Sequence, residues 1–207
     1  MSRDVLELAN SMDRQGLEWQ TAVQCAPLIT GLKVSNLMML PASCENSLLN
    51  LLAETDITCF ELGRTGNRVS LLLYREADLE ACLMQEANLR ILREEGYTGC
   101  SVSGILTELA NRYAECRNGR CVFPHEMGVF LGYPEEDVRG FIRNRGQHFL
   151  MAGYWKVYAD AEAKKKLFDA YNRASDTMIR LLHAGRSLPE IIRLYKKKRD
   201  RYAGTAA

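Results

Sequence analysis

The clearest hydrophobic pattern in the chain lies in residues 56–75, which read DITCFELGRTGNRVSLLLYR. Two runs rich in apolar and β-branched residues flank a turn that contains Gly and Asn, and this pattern predicts an antiparallel hairpin. The second run is apolar on both of its faces, since Leu72 and Tyr74 alternate with other leucines. A strand of this kind is covered on both sides, so we predict that it lies inside a sheet.

Apolar residues recur at helical spacing through most of the remaining chain. The strongest period runs from Ala163 to Leu181 and ends at Gly185, and a capping box that begins at Ser187 opens a last helix. Further helices are predicted at 4–13, 17–30, 43–55, 77–95 and 102–116, with Ser43 as the cap of the third of these. Extended segments are predicted at 33–40 and 148–160, where 153–158 would form a strand of the same sheet as the hairpin.

The central segment, residues 120–146, reads RCVFPHEMGVFLGYPEEDVRGFIRNRG. Its prolines and glycines stand where short helices would begin and end, at Pro124, Gly132, Pro134 and Gly146. We therefore predict two short helices joined at GYP, which Gly128 and Gly140 allow to approach closely.

No internal repeat, low-complexity block or linker divides the chain. We predict a single α+β domain over residues 1–202, with many helices packed around a small, largely antiparallel sheet. Residues 203–207 lack an apolar anchor, so we predict a disordered tail there.

Composition narrows the class of protein. The chain has 207 residues, of which 47% are hydrophobic and 26% charged, as in ordinary folded domains. It contains no apolar run long enough to cross a bilayer, so no membrane contact is predicted. Seven cysteines at irregular spacing are typical of a reducing compartment, and we predict a cytoplasmic protein whose oligomeric state the sequence leaves open.

Charge is unevenly distributed along the chain, and this distribution suggests one alternative function. From Lys156 onward, 13 Lys or Arg face 6 Asp or Glu, which leaves 14 against 20 in residues 1–155. The basic last helix and the helix-turn-helix-like hairpin at 124–146 could together form a regulatory module that binds nucleic acid or a protein partner. Nucleic acid is disfavoured because the supposed reading helix starts with Glu135, Glu136 and Asp137, which repel phosphates.

A metal interpretation rests on Cys116, Cys121 and His125, spaced C-x4-C-x3-H. A structural zinc site needs four ligands and tighter pairs, so this set is a weak signal and structural zinc is not expected. Iron or haem bound through His125 or a cysteine stays open as a cofactor.

Other candidate chemistry lies near the same segment. His125 titrates near neutral pH and stands beside the carboxylate of Glu126. In the extended segment GYWKVY, strand alternation places Tyr154, Lys156 and Tyr158 on one face and Trp155 and Val157 on the other. Two polar aromatics flanking one lysine are typical of a pocket wall.

Three segments, CAPLITGLKVSNL (25–37), FPHEMGVFLGYPEEDVRGFI (123–142) and GYWKVY (153–158), resemble in this order an uncharacterised family of clostridia and related anaerobes. The family is known as a domain of unknown function, and the resemblance covers nearly the whole chain. It implies iron or redox physiology, because genes of the family lie near ferrous-iron transport and flavodoxin genes, but it implies no reaction.

The resemblance also implies candidate ligand-binding residues: Cys25, Lys33, Asn36, His125, Glu126, Tyr154, Trp155 and Lys156. The chain departs from the family pattern at Leu28–Ile29 and at Val34–Ser35, near Lys33. Our first hypothesis is a binding protein or an enzyme that takes a small molecule or a metal-containing cofactor, in a site that these motifs would form if the fold brings them together.

Overall fold

A computed structural model describes residues 3–117 and 123–205 of the chain. The helices are α1 (Arg3–Asn10), α2 (Leu17–Gln24), α3 (Ala26–Ile29), α4 (Glu45–Leu52), α5 (Glu76–Leu83), α6 (Glu86–Glu94), α7 (Val102–Arg117), α8 (Met127–Phe130), α9 (Glu135–Asn144), α10 (Ala161–His183) and α11 (Leu188–Thr205). The strands are β1 (Ser35–Pro41), β2 (Thr58–Thr65), β3 (Arg68–Tyr74), β4 (Met151–Ala152) and β5 (Lys156–Val157). The predicted α+β class, with helices around a small antiparallel sheet, is confirmed.

The main sheet has the strand order β1-β3-β2, and both pairings are antiparallel. The hairpin predicted at 56–75 is thus confirmed, and its second strand is the inner one. Leu71, Leu72 and Leu73 are all at most 2% exposed, since helices cover both faces of the sheet.

The two faces of β3 belong to two different cores. Val69, Leu71 and Leu73 pack with α2, α3, α4, α10 and α11, whereas Leu72 and Tyr74 pack with helices α5 to α9. The protein is therefore layered as helices, sheet and helices, and alternate side chains of one strand serve each core.

The strand prediction for 153–158 was partly wrong. β4 and β5 form a separate two-stranded antiparallel sheet and do not join the main one. The short hairpin is held by α9 instead, because both the backbone of Tyr158 and the indole of Trp155 donate hydrogen bonds to Asp137.

Two helices predicted as continuous are broken. The segment 17–30 divides into α2 and α3 at Cys25, where Pro27 lies in the first turn of the second helix. The segment 77–95 divides into α5 and α6 at Met84 and Gln85, with the backbone of Gln85 extended. Ser43 does not cap α4 either, because a short 3-10 turn covers Ala42–Cys44 and the helix starts at Glu45.

Several predicted helix ends are confirmed. Gly31, Gly96, Gly132, Gly146 and Gly185 all have positive φ, as helix-terminating glycines do. The capping box of α11 is present, because the Ser187 amide donates to the Glu190 carboxylate at 2.9 Å. The backbone is helical to Thr205, residues 206–207 lie outside the described part of the chain, and the disordered tail stays a prediction.

The prediction that Gly128 and Gly140 let the joined helices approach closely is right for Gly128, where a Cβ would lie 2.8 Å from the Val138 side chain of α9, and wrong for Gly140, which faces Tyr158. A Cβ on Gly140 of α9 would lie 2.4 Å from the Tyr158 Cβ, so only glycine lets the hairpin lie against the helix. α8 is a single turn of four residues, which is shorter than the first helix of a DNA-reading pair. Among the described helices, none combines the length and the apolar character that a membrane span requires.

Candidate functional site

The second and third motifs converge on one cleft of about 480 Å³, between α8, α9 and the β4–β5 hairpin. We call it the His125 cleft. Most of its wall is aromatic or aliphatic, and it also contains an imidazole, a carboxylate and an ammonium group, from His125, Asp137 and Lys156. Its aromatic residues are Phe123, Tyr133, Phe141, Tyr154 and Trp155.

Asp137 fixes the shape of this cleft. It is 2% exposed, and its carboxylate accepts hydrogen bonds from Trp155 Nε1 at 2.7 Å and from the amides of Tyr158 at 2.7 Å and Ala159 at 3.1 Å. These protein donors engage both carboxylate oxygens, so Asp137 positions the hairpin. The sequence interpretation treated Asp137 only as one of three acids at a helix start. Its place in the first turn after Pro134 was the available signal for a capping or anchoring role.

His125 supplies a polar group that has no partner among the residues that the structure describes. Its Nδ1 atom is buried and makes no hydrogen bond with residues 3–117 or 123–205. Its ring lies edge-on to Phe141, with 5.0 Å between the ring centroids. A buried imidazole nitrogen without a partner costs about 1–3 kcal/mol, so a ligand that pairs with it would recover that cost.

Lys156 lines the same cleft and, like His125, lies against Phe141. Its ammonium donates to the Gly146 carbonyl at 2.7 Å and lies 5.0 Å from the Phe149 ring and 5.8 Å from the Phe141 ring. One carbonyl uses one of three N–H donors, which leaves capacity for an anionic group. Tyr154 is 42% exposed at the rim, and its hydroxyl donates to Asn172 Oδ1 at 3.1 Å.

Glu126 serves a different cavity. It is 2% exposed, accepts a hydrogen bond from the Tyr97 hydroxyl at 2.9 Å and lies 3.7 Å from Arg112. With Glu95 and Glu108 it lines a polar cleft of about 580 Å³, whose wall also includes His125. Burial, and then the neighbouring Glu126, raise the pKa of both Glu95 and Tyr97. His125 therefore separates an aromatic cleft from an acidic one.

The first motif forms a buried cluster of its own. Asn36 accepts from the Lys33 ammonium at 3.2 Å and donates toward Cys25 Sγ at 3.6 Å. Burial raises the pKa of the Cys25 thiol to about 12 and lowers the pKa of Lys33 to about 8. Cys25 is thus a neutral core thiol.

Tyr133 joins the motifs but keeps their polar residues apart. Its ring lies 5.2 Å from the Lys33 ammonium and stacks on Trp155 with 4.5 Å between centroids. Lys33 lies with Cys25 and Asn36, while His125 and Lys156 line the aromatic cleft. The sequence left open whether the three motifs converge; they lie next to one another, and their polar residues form two neighbouring places instead of one cluster. Sequence reasoning missed Tyr133, although it stands in the GYP turn.

The structure describes two of the three proposed metal ligands, Cys116 and His125. Cys116 is half-buried near the end of α7, and Cys121 lies outside the described residues. In residues 3–117 and 123–205, no group of three or more His, Cys, Asp or Glu side chains is arranged to hold a metal ion. The set Cys116, Cys121 and His125 stays a prediction, as do iron and haem.

The supposed DNA-reading turn is occupied by contacts within the protein. Glu135 pairs with Arg139 at 2.7 Å, Glu136 pairs with Lys164 at 2.6 Å, and Asp137 is buried under the hairpin. Arg139 itself also pairs with Glu94 at 2.6 Å. A recognition helix needs its first turn free for base edges, so this arrangement argues against the nucleic-acid alternative.

Comparison with known proteins identifies a family. Residues 21–192 match the family model described as a protein of unknown function, DUF3793. No curated protein and no solved structure matches the chain.

Proposed function

The chain belongs to the DUF3793 family of proteins of unknown function, and we propose that it binds a flat, largely apolar small molecule with an anionic or hydrogen-bonding group in the His125 cleft. One observation carries this proposal: the buried Nδ1 of His125 lacks a partner among the described residues, in the wall of an aromatic cleft of about 480 Å³. A volume of this size is within the usual range for small-molecule sites.

The lining indicates what kind of molecule would fit. Aromatic rings favour a flat apolar body, because stacking adds to the free energy gained by removing apolar surface from water. The ammonium of Lys156 favours an anionic or strongly accepting group at one end. The negative charge of Asp137 is stabilised, though not removed, by hydrogen bonds from Trp155 and two backbone amides, so this carboxylate has its partners within the protein.

The resemblance of the three motifs to proteins of anaerobes supports a narrower form of the proposal. In that form the ligand belongs to iron or redox metabolism, and a metal-containing cofactor such as haem, which is flat and largely apolar, is one member of the class. His125 would be the residue that contacts it.

The test compares His125→Gln with His183→Gln, a matched change at an exposed histidine of α10. Protein purified without oxygen is analysed for bound small molecules, for iron and for visible absorption. It is then titrated with 8-anilinonaphthalene-1-sulfonate, a flat apolar anion. We expect His125→Gln to weaken binding of this probe by about tenfold, as a lost buried hydrogen bond does, and to leave the melting temperature nearly unchanged.

His183→Gln should behave as the wild type in both measurements. If His125→Gln lowers the melting temperature but leaves the retained molecules and probe affinity unchanged, His125 is structural and the proposal is wrong. Steeply salt-dependent binding of a DNA duplex by a protein that retains no small molecule would instead support the regulatory alternative.

A further inference from the structure

A second cleft, of about 640 Å³, lies on the Lys33 side of Tyr133 and is separate from the His125 cleft. We call it the Lys33 cleft. Its wall comes from the turn between α3 and β1, the α5–α6 break, the GYP turn and Arg199 of α11. Two basic residues, Lys33 and Arg199, line it.

Lys33 is an unusual lysine because it is buried without a counter-ion. It is 9% exposed, and in the described part of the chain its ammonium makes one side-chain hydrogen bond, to Asn36, and no ion pair. The nearby Tyr133 ring offers only a weak electrostatic contact. Burial without a carboxylate disfavours the charged form of an amine, and the pKa of Lys33 is accordingly lowered to about 8.

Arg199 supplies an anchoring group in the same cleft. Its Nη2 bonds to Asp56, whereas its Nη1 is buried and has no partner in the described ranges. Two acids also line this cleft, Asp78 and Glu135, and Glu135 is already paired with Arg139. A buried guanidinium N–H without an acceptor is suited to a carboxylate or a phosphate.

We propose that Lys33 is a nucleophilic amine that forms a Schiff base with a small aldehyde or ketone whose anionic group binds Arg199. The amine lone pair attacks the carbonyl carbon and forms a C–N bond, and one amine proton moves to the carbonyl oxygen. The C–O bond then breaks as the C=N bond forms, and the oxygen leaves as water with both former amine protons. No oxidant or reductant is consumed. Asn36 orients the free amine before the attack, since its carboxamide oxygen accepts a hydrogen bond from Nζ.

The His125 cleft plays no part in this step, so the two proposals succeed or fail separately. Cys25 is not a competing nucleophile, because its thiol is 1% exposed and burial raises its pKa to about 12.

The experiment uses glyoxylate, a small carbonyl acid, with sodium cyanoborohydride to reduce any Schiff base to a stable secondary amine. Peptide mass mapping then measures the labelling rate at each lysine between pH 6.5 and 10. We expect Lys33 to label faster at pH 7 than the exposed Lys196 and Lys197. Its rate should level off above about pH 8, where the amine is already neutral, whereas exposed lysines should label faster up to about pH 10.

Two variants and a second probe locate the chemistry. Lys33→Arg keeps the charge and should abolish labelling of that peptide. Arg199→Gln should slow labelling by glyoxylate about tenfold, as a lost charged hydrogen bond does, and leave labelling by propanal, which has no anionic group, unchanged. His125→Gln should leave both rates unchanged.

Labelling of Lys33 no faster than that of Lys196, or a rate that does not level off near pH 8, would overturn the proposal. If Arg199→Gln slows labelling by glyoxylate and by propanal equally, Arg199 does not bind the anionic group of the carbonyl compound.

Discussion

At the scale of single residues, the side chains that shape the two clefts are buried polar groups. Asp137 is fully engaged and holds the β4–β5 hairpin, whereas among the described residues Lys33 has no charged counterpart and the Nδ1 of His125 has no hydrogen-bond partner. Buried groups such as those of Lys33 and His125 reduce the stability of the free protein. A ligand that pairs with them would therefore gain the most binding free energy.

Lys33 gives a prediction about stability and pH. Because its folded pKa is lowered to about 8, the unfolded chain binds more protons between pH 8 and 10.4, so stability rises with pH as Lys33 loses its charge. Relative to Lys33→Met, the wild type should gain about 1 kcal/mol between pH 7.5 and 9. Urea unfolding of both proteins measures this difference. Burial raises the pKa of the Cys25 thiol, so this thiol makes the free energy of unfolding fall as pH rises above the ordinary thiol pKa. Both proteins contain the thiol, so its effect cancels when they are compared.

A constant difference between the two proteins over that pH range would show that Lys33 titrates normally. In that case the Lys33 cleft would lose the chemical basis of its proposed reactivity.

At the scale of elements, the contact between α9 and the β4–β5 hairpin depends on one glycine. Gly140→Ala places a methyl group 2.4 Å from Tyr158 Cβ, and we expect it to destabilise the protein by about 1–3 kcal/mol and to weaken binding in the His125 cleft. The matched change is Gly104→Ala in α7, where the nearest atom is the Ser101 hydroxyl at 3.3 Å. That variant should be neutral or gain about 0.5–1 kcal/mol from helix propensity. Equal effects of the two changes on thermal unfolding would contradict the prediction.

Local patterns predicted some elements well and others poorly. The inner strand was predictable because Leu72 and Tyr74 are apolar on the face that would carry polar residues if it were exposed to solvent. The helix ends were predictable from glycines. The break at Cys25 was missed although Pro27, which lacks a backbone N–H, was a signal for it. The break at Met84 was not predictable, because no residue there excludes the helix. The placement of β4 and β5 also escaped prediction, since it depends on Asp137, which is distant in sequence.

The site could be predicted only in outline for the same reason. His125, Trp155 and Lys156 were predicted and do line one cleft. Tyr133, Asp137 and Arg199 were missed, because their roles arise from partners that lie 18 to 143 residues away along the chain. Sequence spacing carries no information about such pairs.

At the scale of the whole molecule, Asp56 ties distant parts of the chain together. Its carboxylate accepts from Arg75 at 3.0 Å and from Arg199, and Arg75 also donates to the carbonyls of Leu28 and Ile29. Four segments, the start of the hairpin, the end of β3, α3 and α11, thereby meet at one buried ion cluster.

This cluster should make the protein sensitive to acid. Burial alone would raise the pKa of Asp56, but Arg75 and Arg199 together hold it below its ordinary value. A carboxylate with a depressed folded pKa stabilises the protein above its unfolded pKa near 3.9, and the contribution is lost as pH falls through the folded pKa. Asp56→Asn should therefore lower the free energy of unfolding at pH 7, by about 3 kcal/mol for a broken buried pair, and the deficit should shrink below about pH 4.

Urea unfolding at pH 7, 5 and 3.5 measures this effect. Asp169→Asn, at an exposed position of α10, is the matched control and should change little at any of these values. A deficit in Asp56→Asn that is the same at all three values would show that the cluster contributes by packing alone.

The position of β3 between two cores has a consequence for synthesis of the chain. Alternate side chains of this one strand complete both cores, and the strand also pairs with β1 in the main sheet. Neither core can form during synthesis before residues 68–74 have left the ribosome. After that, the core around Leu72 and Tyr74 still needs α5 to α9, and the core around Val69, Leu71 and Leu73 still needs α10 and α11. The two halves are thus interleaved along the chain, so the protein should unfold and refold in one cooperative transition instead of acquiring structure progressively from its N-terminus.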